Sequence, residues 1–212
     1  MAVICFDLDG TLIDSLQPYF KSFNSALKNY NLKPISLRKF KAYFGSSSVK
    51  VVWMMYPNLG YEDVKEILIN RNNLFVSKFL NFIRPIKGVK VLLKKLKKNH
   101  TLVLYSTSSR KRILESLKQV GIDPKLFSLI LGGDEVRKIK PDPDGIFKIQ
   151  KLLGKKIDYL VGDSVYDIMA GNSAGVKVVG VLTGTASKEK FKRYKPFKII
   201  NDIIKLEGVL KN

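Results

Sequence analysis

The chain has 212 residues, of which 45% are hydrophobic, and a net charge of +20. This length suits one large domain or a core domain with a smaller insert, and the composition is sufficient for a buried core. No apolar run reaches the roughly 18–20 residues that a membrane-spanning helix needs, and the short apolar N-terminus has no preceding basic region, which argues against a signal peptide. The single cysteine, Cys5, cannot form an internal disulfide, so we expect a reducing, cytoplasmic environment.

The positive charge has two interpretations. It could indicate a nucleic-acid-binding module, or it could be a lysine-rich solvated surface. The second is favoured, because many lysines alternate with apolar positions on predicted helices and no zinc pattern, RNA-binding signature or basic tail accompanies them. We therefore expect a small phosphorylated metabolite as the partner, drawn in by the positive field, and neither nucleic acid nor a membrane.

The predicted elements begin with residues 2–6, an unbroken apolar run typical of a buried parallel strand. Residues 16–82 show apolar side chains at three- and four-residue spacing and no convincing strand. Strands and helices then alternate, with predicted helices at 89–98, 110–120, 144–153 and 166–174 and strands at 101–105, 126–131, 159–161 and 176–181. This alternation predicts an α/β fold, a three-layer, Rossmann-like parallel sheet core with an inserted all-helical domain. The predicted core comprises residues 1–14 and 85–212, and the insert comprises residues 15–84.

Polar residues follow four of the predicted strands. They lie at residues 7–11, 106–109, 132–134 (with Lys140 shortly after) and 162–167. Ligands of parallel α/β sheets bind beyond the carboxyl ends of the strands, so these segments are expected to share one edge. That edge would carry carboxylates, hydroxyls and a lysine.

This set of side chains suits phosphoryl chemistry. Carboxylates bind hard cations such as Mg²⁺, whereas hydroxyls, backbone amides and a lysine bind phosphate. A carboxylate can also attack phosphorus as a covalent nucleophile. Asp7 and Asp9 are two residues apart, so in an extended segment their side chains share a side at about 7 Å. One could attack while the other exchanges protons with the leaving group.

The run Asp7-Leu8-Asp9-Gly10-Thr11-Leu12 resembles the first motif of the haloacid dehalogenase superfamily in its phosphatase form. Ser106 stands where the second motif has its hydroxyl residue, and Lys140 resembles the lysine of the third motif. Asp163 and Asp167 resemble the acidic pair of the fourth. The insert resembles the helical cap of the branch that contains phosphoglycolate phosphatases and β-phosphoglucomutases.

The resemblance implies a role for each catalytic residue. Asp7 attacks the phosphoryl group and forms an aspartyl-phosphate, and Asp9 protonates the leaving oxygen and then activates water. Ser106 and Lys140 hold the phosphoryl oxygens. Thr11 is expected to orient the Asp9 loop on the substrate side.

The resemblance also implies a Mg²⁺ site made by Asp7, the main-chain carbonyl of Asp9 and Asp163. Asp167 could be a direct ligand or a supporting residue. Thr107 stands where the second motif often has asparagine, and its hydroxyl can still donate a hydrogen bond to substrate.

The implied function is hydrolysis of a small phosphate monoester, phosphoglycolate-like or a sugar phosphate, by a Mg²⁺-dependent phosphatase. A β-phosphoglucomutase-like phosphomutase is the alternative, because it shares the core, and a nucleic-acid-binding module is a remote one. Within the insert, the run of residues 45–48 precedes a predicted helix, where it could either cap the helix or hold an anion. The oligomeric state stays open.

Overall fold

The structure is a computed structural model that describes residues 1–210. The chain opens with strand β1 (Val3–Phe6) and a short strand β2 (Ile13–Asp14), followed by four helices: α1 (Leu16–Asn29), α2 (Leu37–Tyr43), α3 (Ser48–Met55) and α4 (Tyr61–Leu74). A π-helical turn (Phe75–Phe79) and a 3₁₀ turn (Leu80–Phe82) lead to β3 (Arg84–Pro85), which pairs antiparallel with β2. The four helices form the predicted insert, called the cap below.

The rest of the chain alternates between helices and strands. Its elements are α5 (Val89–Lys97), β4 (Thr101–Tyr105), α6 (Arg110–Val120), β5 (Leu129–Leu131), α7 (Asp144–Leu153), β6 (Tyr159–Gly162), α8 (Val165–Ser173), β7 (Lys177–Val181), α9 (Lys188–Arg193), β8 (Lys198–Ile200) and α10 (Leu206–Leu210). Gly121 and Gly154 end α6 and α7 in the left-handed conformation, which is a common way to terminate a helix.

The core is one six-stranded sheet in the order β5-β4-β1-β6-β7-β8, and all of its pairings are parallel. Strand β1 lies inside the sheet, between β4 and β6, and all four of its residues are buried. A parallel strand covered by helices on both faces must be apolar on both faces, which explains the unbroken apolar run.

Helices cover both faces of the sheet. Ile4 and Phe6 of β1 point into a hydrophobic cluster with the apolar faces of α5 and α6, whereas Val3 and Cys5 point into a second cluster with α7 and α8. Alternate residues of one strand therefore serve opposite layers. The predicted three-layer α/β fold with a helical cap is confirmed.

The cap has a hydrophobic cluster of its own, in which Phe23, Phe40 and Phe44 are buried. The ring of Phe40 lies 5.6 Å from each of the other two rings, in tilted geometry. The cap therefore contributes a second set of buried apolar side chains. The predicted boundaries at residues 14/15 and 84/85 stay a prediction.

The structure differs from the sequence-based expectation in two places. The predicted strand at 126–131 is shorter, because Asp123 and Pro124 open a 3₁₀ turn whose cap is the Asp123 carboxylate, and the strand begins only at Leu129. The pair β2–β3 and the elements α9, β8 and α10 were missed, because they are short and their patterns are interrupted.

Within residues 1–210, every helix is too short or too polar to cross a bilayer.

A glycine in α7 gives a test of this packing. A Cβ at Gly145 would lie 2.2 Å from Cζ of the fully buried Tyr105, whereas a Cβ at Gly208 of α10 would meet nothing within 4 Å. Although alanine is the better helix former, we expect Gly145→Ala to lower the free energy of unfolding by about 1–3 kcal/mol, the range for overpacking a core. Urea unfolding measures it.

Gly208→Ala is the matched control and should leave that free energy unchanged or raise it by up to about 1 kcal/mol. If both substitutions stabilise the protein, α7 does not pack against Tyr105 in this way.

Candidate functional site

The predicted motif residues converge at the carboxyl ends of the central strands. Asp7 follows β1, Ser106 follows β4 and Asp163 follows β6, while Lys140 arrives from the segment between β5 and α7. Asp7, Ser106 and Lys140 line a cavity of about 340 Å³, together with residues 45–48 and Arg71 of the cap. The site is therefore enclosed by the core below and the cap above.

Lys140 is the central cation of the site. Its side chain is 2% exposed, and its ammonium donates to Asp7 Oδ1 at 2.5 Å, to Asp167 Oδ1 at 2.7 Å and to the carbonyl oxygen of Tyr105 at 3.2 Å. Burial alone would lower the pKa of Lys140, but Asp167 and Asp7 outweigh burial and raise it above its ordinary value. Lys140 is therefore charged and uses all three of its donors.

Three carboxylates form a buried acidic cluster: Asp7, Asp163 and Asp167 each place an oxygen within 4.8 Å of the others. Asp163 Oδ2 has no hydrogen-bond partner among the described residues. Burial raises the pKa of Asp163 well above its ordinary value, and the charges of Asp7 and Asp167 raise it further. Burial likewise raises the pKa of Asp7, against the opposing effect of Lys140. Within residues 1–210, Asp163 forms no salt bridge, and the nearby charge of Lys140 only partly opposes the rise of its pKa.

At Gly10 and Gly184 the backbone lies so close to Asp163 that a side chain would not fit. A Cβ at Gly184 would lie 1.7 Å from Asp163 Oδ2, and a Cβ at Gly10 would lie 2.4 Å from the same atom. Thr183 donates from Oγ1 to the carbonyl oxygen of Gly10 at 2.7 Å, which joins the two glycine loops. The glycines let two loops approach one carboxylate oxygen closely.

Asp167 is held from two sides. Beyond its contact with Lys140, its Oδ2 accepts from Ser164 Oγ at 2.6 Å and from Ser164 N at 3.1 Å. Ser164 in turn caps α8, accepting from Asp167 N. These contacts occupy both oxygens of Asp167, in contrast to Asp163.

Asp9 lies apart from the acidic cluster and pairs with an arginine. Arg112 donates from Nη2 to Asp9 Oδ1 at 2.7 Å and from Nη1 to Asp9 Oδ2 at 2.9 Å, and the hydroxyls of Ser15 and Ser108 donate to the same carboxylate at 2.5 and 3.2 Å. Burial would raise the pKa of Asp9, but Arg112 and the hydroxyls outweigh it and hold the pKa below its ordinary value. Four hydrogen bonds therefore engage the Asp9 carboxylate, and the role of its main-chain carbonyl as a metal ligand stays a prediction.

Arg112 is itself buried, with 5% exposure, between two aromatic rings. Its guanidinium carbon lies 4.4 Å from the ring centroid of Tyr19 and 4.7 Å from that of Phe75. Tyr19 belongs to α1 and Phe75 to the π-helical turn after α4, so the arginine of the core helix α6 stacks on residues of the cap region.

The remaining predicted residues occupy different places. Ser106 is 1% exposed, lines the cavity and accepts from the amide of Ser108 at 3.1 Å. Thr107 also lines the cavity. Thr11 is fully buried and donates to Asp163 Oδ1 at 3.4 Å, so it lies beside the acidic cluster rather than on the cavity wall.

Sequence reasoning missed the arginines of the site and the hydroxyl of Ser15. Arg112 and Arg71 are two of 38 basic residues, and neither belongs to a recognisable motif. The sequence gives only weak evidence that Arg112 is buried, namely its position next to Ile113 on the buried face of α6. For Arg71 the sequence offers only the helical spacing from Val64 and Ile67, which lie on the buried side of α4.

Comparisons with known proteins agree with this geometry. The family model described as "Haloacid dehalogenase-like hydrolase" matches residues 4–181. The chain is 30% identical to a phosphoglycolate phosphatase of Haemophilus influenzae over 98% of this chain and 97% of that protein, and 26% identical to the pyrophosphatase PpaX of Listeria welshimeri over 100% and 97%. The crystal structure of a predicted phosphoglycolate phosphatase from Haemophilus somnus superposes with a TM-score of 0.87 at 30% identity, covering 99% of this chain and 98% of that one.

The match extends from β1 to the end of β7 and so includes all four segments that build the site. The predicted family resemblance is confirmed, and with it the prediction of a hydrolytic enzyme. The chain belongs to the haloacid dehalogenase-like hydrolases.

Proposed function

We propose that the protein is a Mg²⁺-dependent phosphatase that hydrolyses a small phosphate monoester through an aspartyl-phosphate on Asp7. One observation carries the proposal. A buried lysine at the cavity wall bridges Asp7 and Asp167, while the neighbouring Asp163 keeps an oxygen that has no hydrogen-bond partner among the described residues. The relatives named as phosphatases act on phosphoryl compounds, which supports the same reaction class.

Asp7 is the proposed nucleophile. Its carboxylate lines the cavity and holds Lys140 through Oδ1. Attack by the other oxygen on phosphorus would form the acyl phosphate and break the bond to the leaving oxygen. Lys140 and the hydroxyl of Ser106 lie at the same cavity wall, where they would stabilise negative charge on the phosphoryl oxygens.

Asp9 is the proposed proton-transfer residue. Its carboxylate would protonate the leaving oxygen and then take a proton from the water that hydrolyses the acyl phosphate. The pairing with Arg112 stabilises the ionised form, which suits the second step and opposes the first. We therefore expect substrates whose leaving group departs without a proton to react faster than alkyl esters.

The acidic cluster fits a hard divalent cation. Three buried carboxylates with only one ammonium between them leave uncompensated negative charge, and Asp163 Oδ2 offers a free ligand atom. Asp7 and Asp163 would hold the ion, with Asp167 beside them. When bound, Mg²⁺ would supply positive charge against the phosphoryl group.

The proposed setting is cytoplasmic, with a small phosphorylated metabolite as the substrate. Cys5 is buried in the sheet and its pKa is raised to about 12 by burial, so it acts as a core residue with no role in redox chemistry. A cavity of about 340 Å³ suits a ligand of a few heavy atoms beyond the phosphoryl group.

One test of the proposed cation site compares the stability effects of Asp163 and Asp167 and needs no activity measurement. Asp163 forms no salt bridge among the described residues, so without metal we expect Asp163→Asn to raise the free energy of unfolding, because a neutral amide is less costly to bury than an unpaired carboxylate. Asp167 is paired with Lys140 and Ser164, so Asp167→Asn should lower it by about 1–3 kcal/mol. Thermal unfolding in chelator measures both.

Adding Mg²⁺ completes this test. Saturation at about 100 times the dissociation constant should stabilise the unmodified protein by about 2.7 kcal/mol, and this gain should disappear in Asp163→Asn. An Asp163→Asn protein that loses stability in chelator, or gains as much from Mg²⁺ as the parent, would rule out the cation site.

The second prediction separates the two chemical steps. Asp7→Asn should abolish turnover, because an amide is a poor nucleophile. Asp9→Asn should slow an alkyl phosphate by roughly 10²–10⁴-fold, the usual range for acid–base catalysis. With p-nitrophenyl phosphate, whose leaving group needs little protonation, Asp9→Asn should release a burst of up to about one nitrophenol per enzyme and then turn over slowly.

Intact-mass measurement after acid quench should find one added phosphoryl group in Asp9→Asn, mapping to Asp7. Ser15→Ala is the matched control, since it removes one hydrogen bond to Asp9 and keeps the carboxylate. Steady turnover with neither burst nor adduct would favour direct attack by water over the covalent route.

A further inference from the structure

Arg71 is a buried cation that the proposed reaction does not use. It lies on α4 of the cap, is 4% exposed and lines the same cavity as Asp7 and Lys140. Among the described residues, its Nε and Nη1 atoms have no hydrogen-bond partner, and its Nη2 atom reaches only Ser48 Oγ at 3.5 Å. Most of its five N–H donors are therefore unused.

A buried guanidinium without a counter-ion is costly, because desolvation is not offset by pairing. Asp9, the carboxylate that acts on Arg71 electrostatically, is already engaged by Arg112 through two hydrogen bonds. The ring of Tyr19, 4.5 Å from the guanidinium carbon, supports the positive charge but accepts none of its in-plane N–H groups. Arg71 therefore has no anionic partner in the part of the chain that the structure describes.

The positive charge of Arg112 makes the burial of the unpaired Arg71 guanidinium still less favourable. Arg112 stacks on the same Tyr19 ring, at 4.4 Å. Burial and then the charge of Arg112 lower the pKa of Arg71 to about 9, which still leaves it protonated at neutral pH. An anion entering the cavity would meet two guanidinium groups, of which only Arg112 is already paired.

The cap contacts the core beside the cavity that Arg71 lines. Gly45, in the loop before α3, lies against the core, since a Cβ there would be 3.3 Å from Cβ of Ser164. Ser48, the partner of Arg71, begins α3 three residues later and lines the cavity too. The cap is thus seated on the core, and Arg71 lines the same cavity as Asp7.

We propose that Arg71 is a specificity-determining residue that binds a second anionic group of the substrate, a carboxylate or a second phosphate, while Asp7, Ser106 and Lys140 hold the transferred phosphoryl group. The assignment rests on the proposed function and narrows its substrate to phosphoryl compounds with two anionic ends. Arg71 donates from Nη2 to Ser48 Oγ at 3.5 Å, and the N–H groups of Nε and Nη1 are left to donate to a planar or tetrahedral anion.

The test compares non-hydrolysable probes that differ in their second end. Phosphonoacetate carries a carboxylate, methylenediphosphonate a second phosphonate, and ethylphosphonate an apolar end. Calorimetric titration at fixed Mg²⁺ gives each dissociation constant. The unmodified protein should bind at least one of the two-anion probes roughly 10–100-fold more tightly than ethylphosphonate, the range for a hydrogen bond to a charged group. The tighter of the two identifies the second anion.

Arg71→Met keeps the length of the side chain and its packing on Tyr19 and removes the charge. It should lose that roughly 10–100-fold preference while changing ethylphosphonate binding by less than about threefold, and Arg71→Lys should restore part of it. Arg38→Met is the matched control, because Arg38 is an exposed arginine of the cap helix α2 and its removal lowers the net charge equally. It should bind all three probes like the parent.

Equal losses on all three probes would show that Arg71 only shapes the cap and would overturn the proposal. An unmodified protein without preference for a second anion would overturn it as well. Turnover of p-nitrophenyl phosphate is followed in parallel and reports on the proposed function separately. The binding pattern without any turnover would contradict the phosphatase while supporting Arg71 as an anion-binding residue.

Discussion

The ammonium group of Lys140 is the interaction on which the site depends. It joins a carboxylate after β1, a carboxylate of α8 and the last carbonyl of β4, three elements that are adjacent only because the sheet order places β1 between β4 and β6. Burying this charge is unfavourable unless its donors are all satisfied, and the three contacts satisfy them. In return, Lys140 keeps Asp7 and Asp167 close together, against their mutual repulsion. Without it, no salt bridge to the acidic cluster would remain among residues 1–210.

A second cation connects the reaction centre to the cap. Arg112 pairs with Asp9 on one side and stacks between Tyr19 and Phe75 on the other. Because those rings belong to the cap region, the environment of the Asp9 carboxylate depends on where the cap sits. A cap displaced from the core would expose Arg112 to water and weaken its hold on Asp9, since ion pairs are weaker at higher effective dielectric constant. Arg112 would thereby couple the position of the cap to the proposed proton transfer at Asp9.

The sequence predicted the sheet well because its signals are local. The apolar run of β1, the alternation after residue 89 and the polar residues at strand ends each occupy a few consecutive positions, and parallel topology then determines where they meet. Arg112 and Arg71 could not be found in this way. Their importance comes from burial and from partners far along the chain: Arg112 lies 103 residues from Asp9. In a chain with 38 basic residues, no local pattern separates a buried arginine from a solvated one.

The same reasoning explains why Thr11 and Thr107 are placed differently although both were assigned to the substrate side. Thr11 sits in the tight loop after β1, where the chain turns back at Gly10, and this turn directs its hydroxyl inward to Asp163. Thr107 follows the carboxyl end of β4 and lines the cavity. A motif fixes the order of residues along the chain, but the direction of each side chain depends on loop geometry that the motif alone does not specify.

The charges of the site favour binding of the proposed cation before binding of an anionic substrate. Asp7, Asp9 and Asp134 line the cavity, and Asp163 and Asp167 lie next to Asp7, so five carboxylates stand against the three cations Lys140, Arg112 and Arg71 of the described lining. Fully ionised, the protein groups alone would oppose an incoming phosphate dianion, despite the net charge of +20 over the whole chain. The proposed divalent cation would offset this excess of negative charge beside Asp7, whereas Arg71 supplies its charge from the cap. Long-range attraction by the lysine-rich surface would bring anions towards the proposed site, and charge compensation inside the cavity would then determine how tightly they bind.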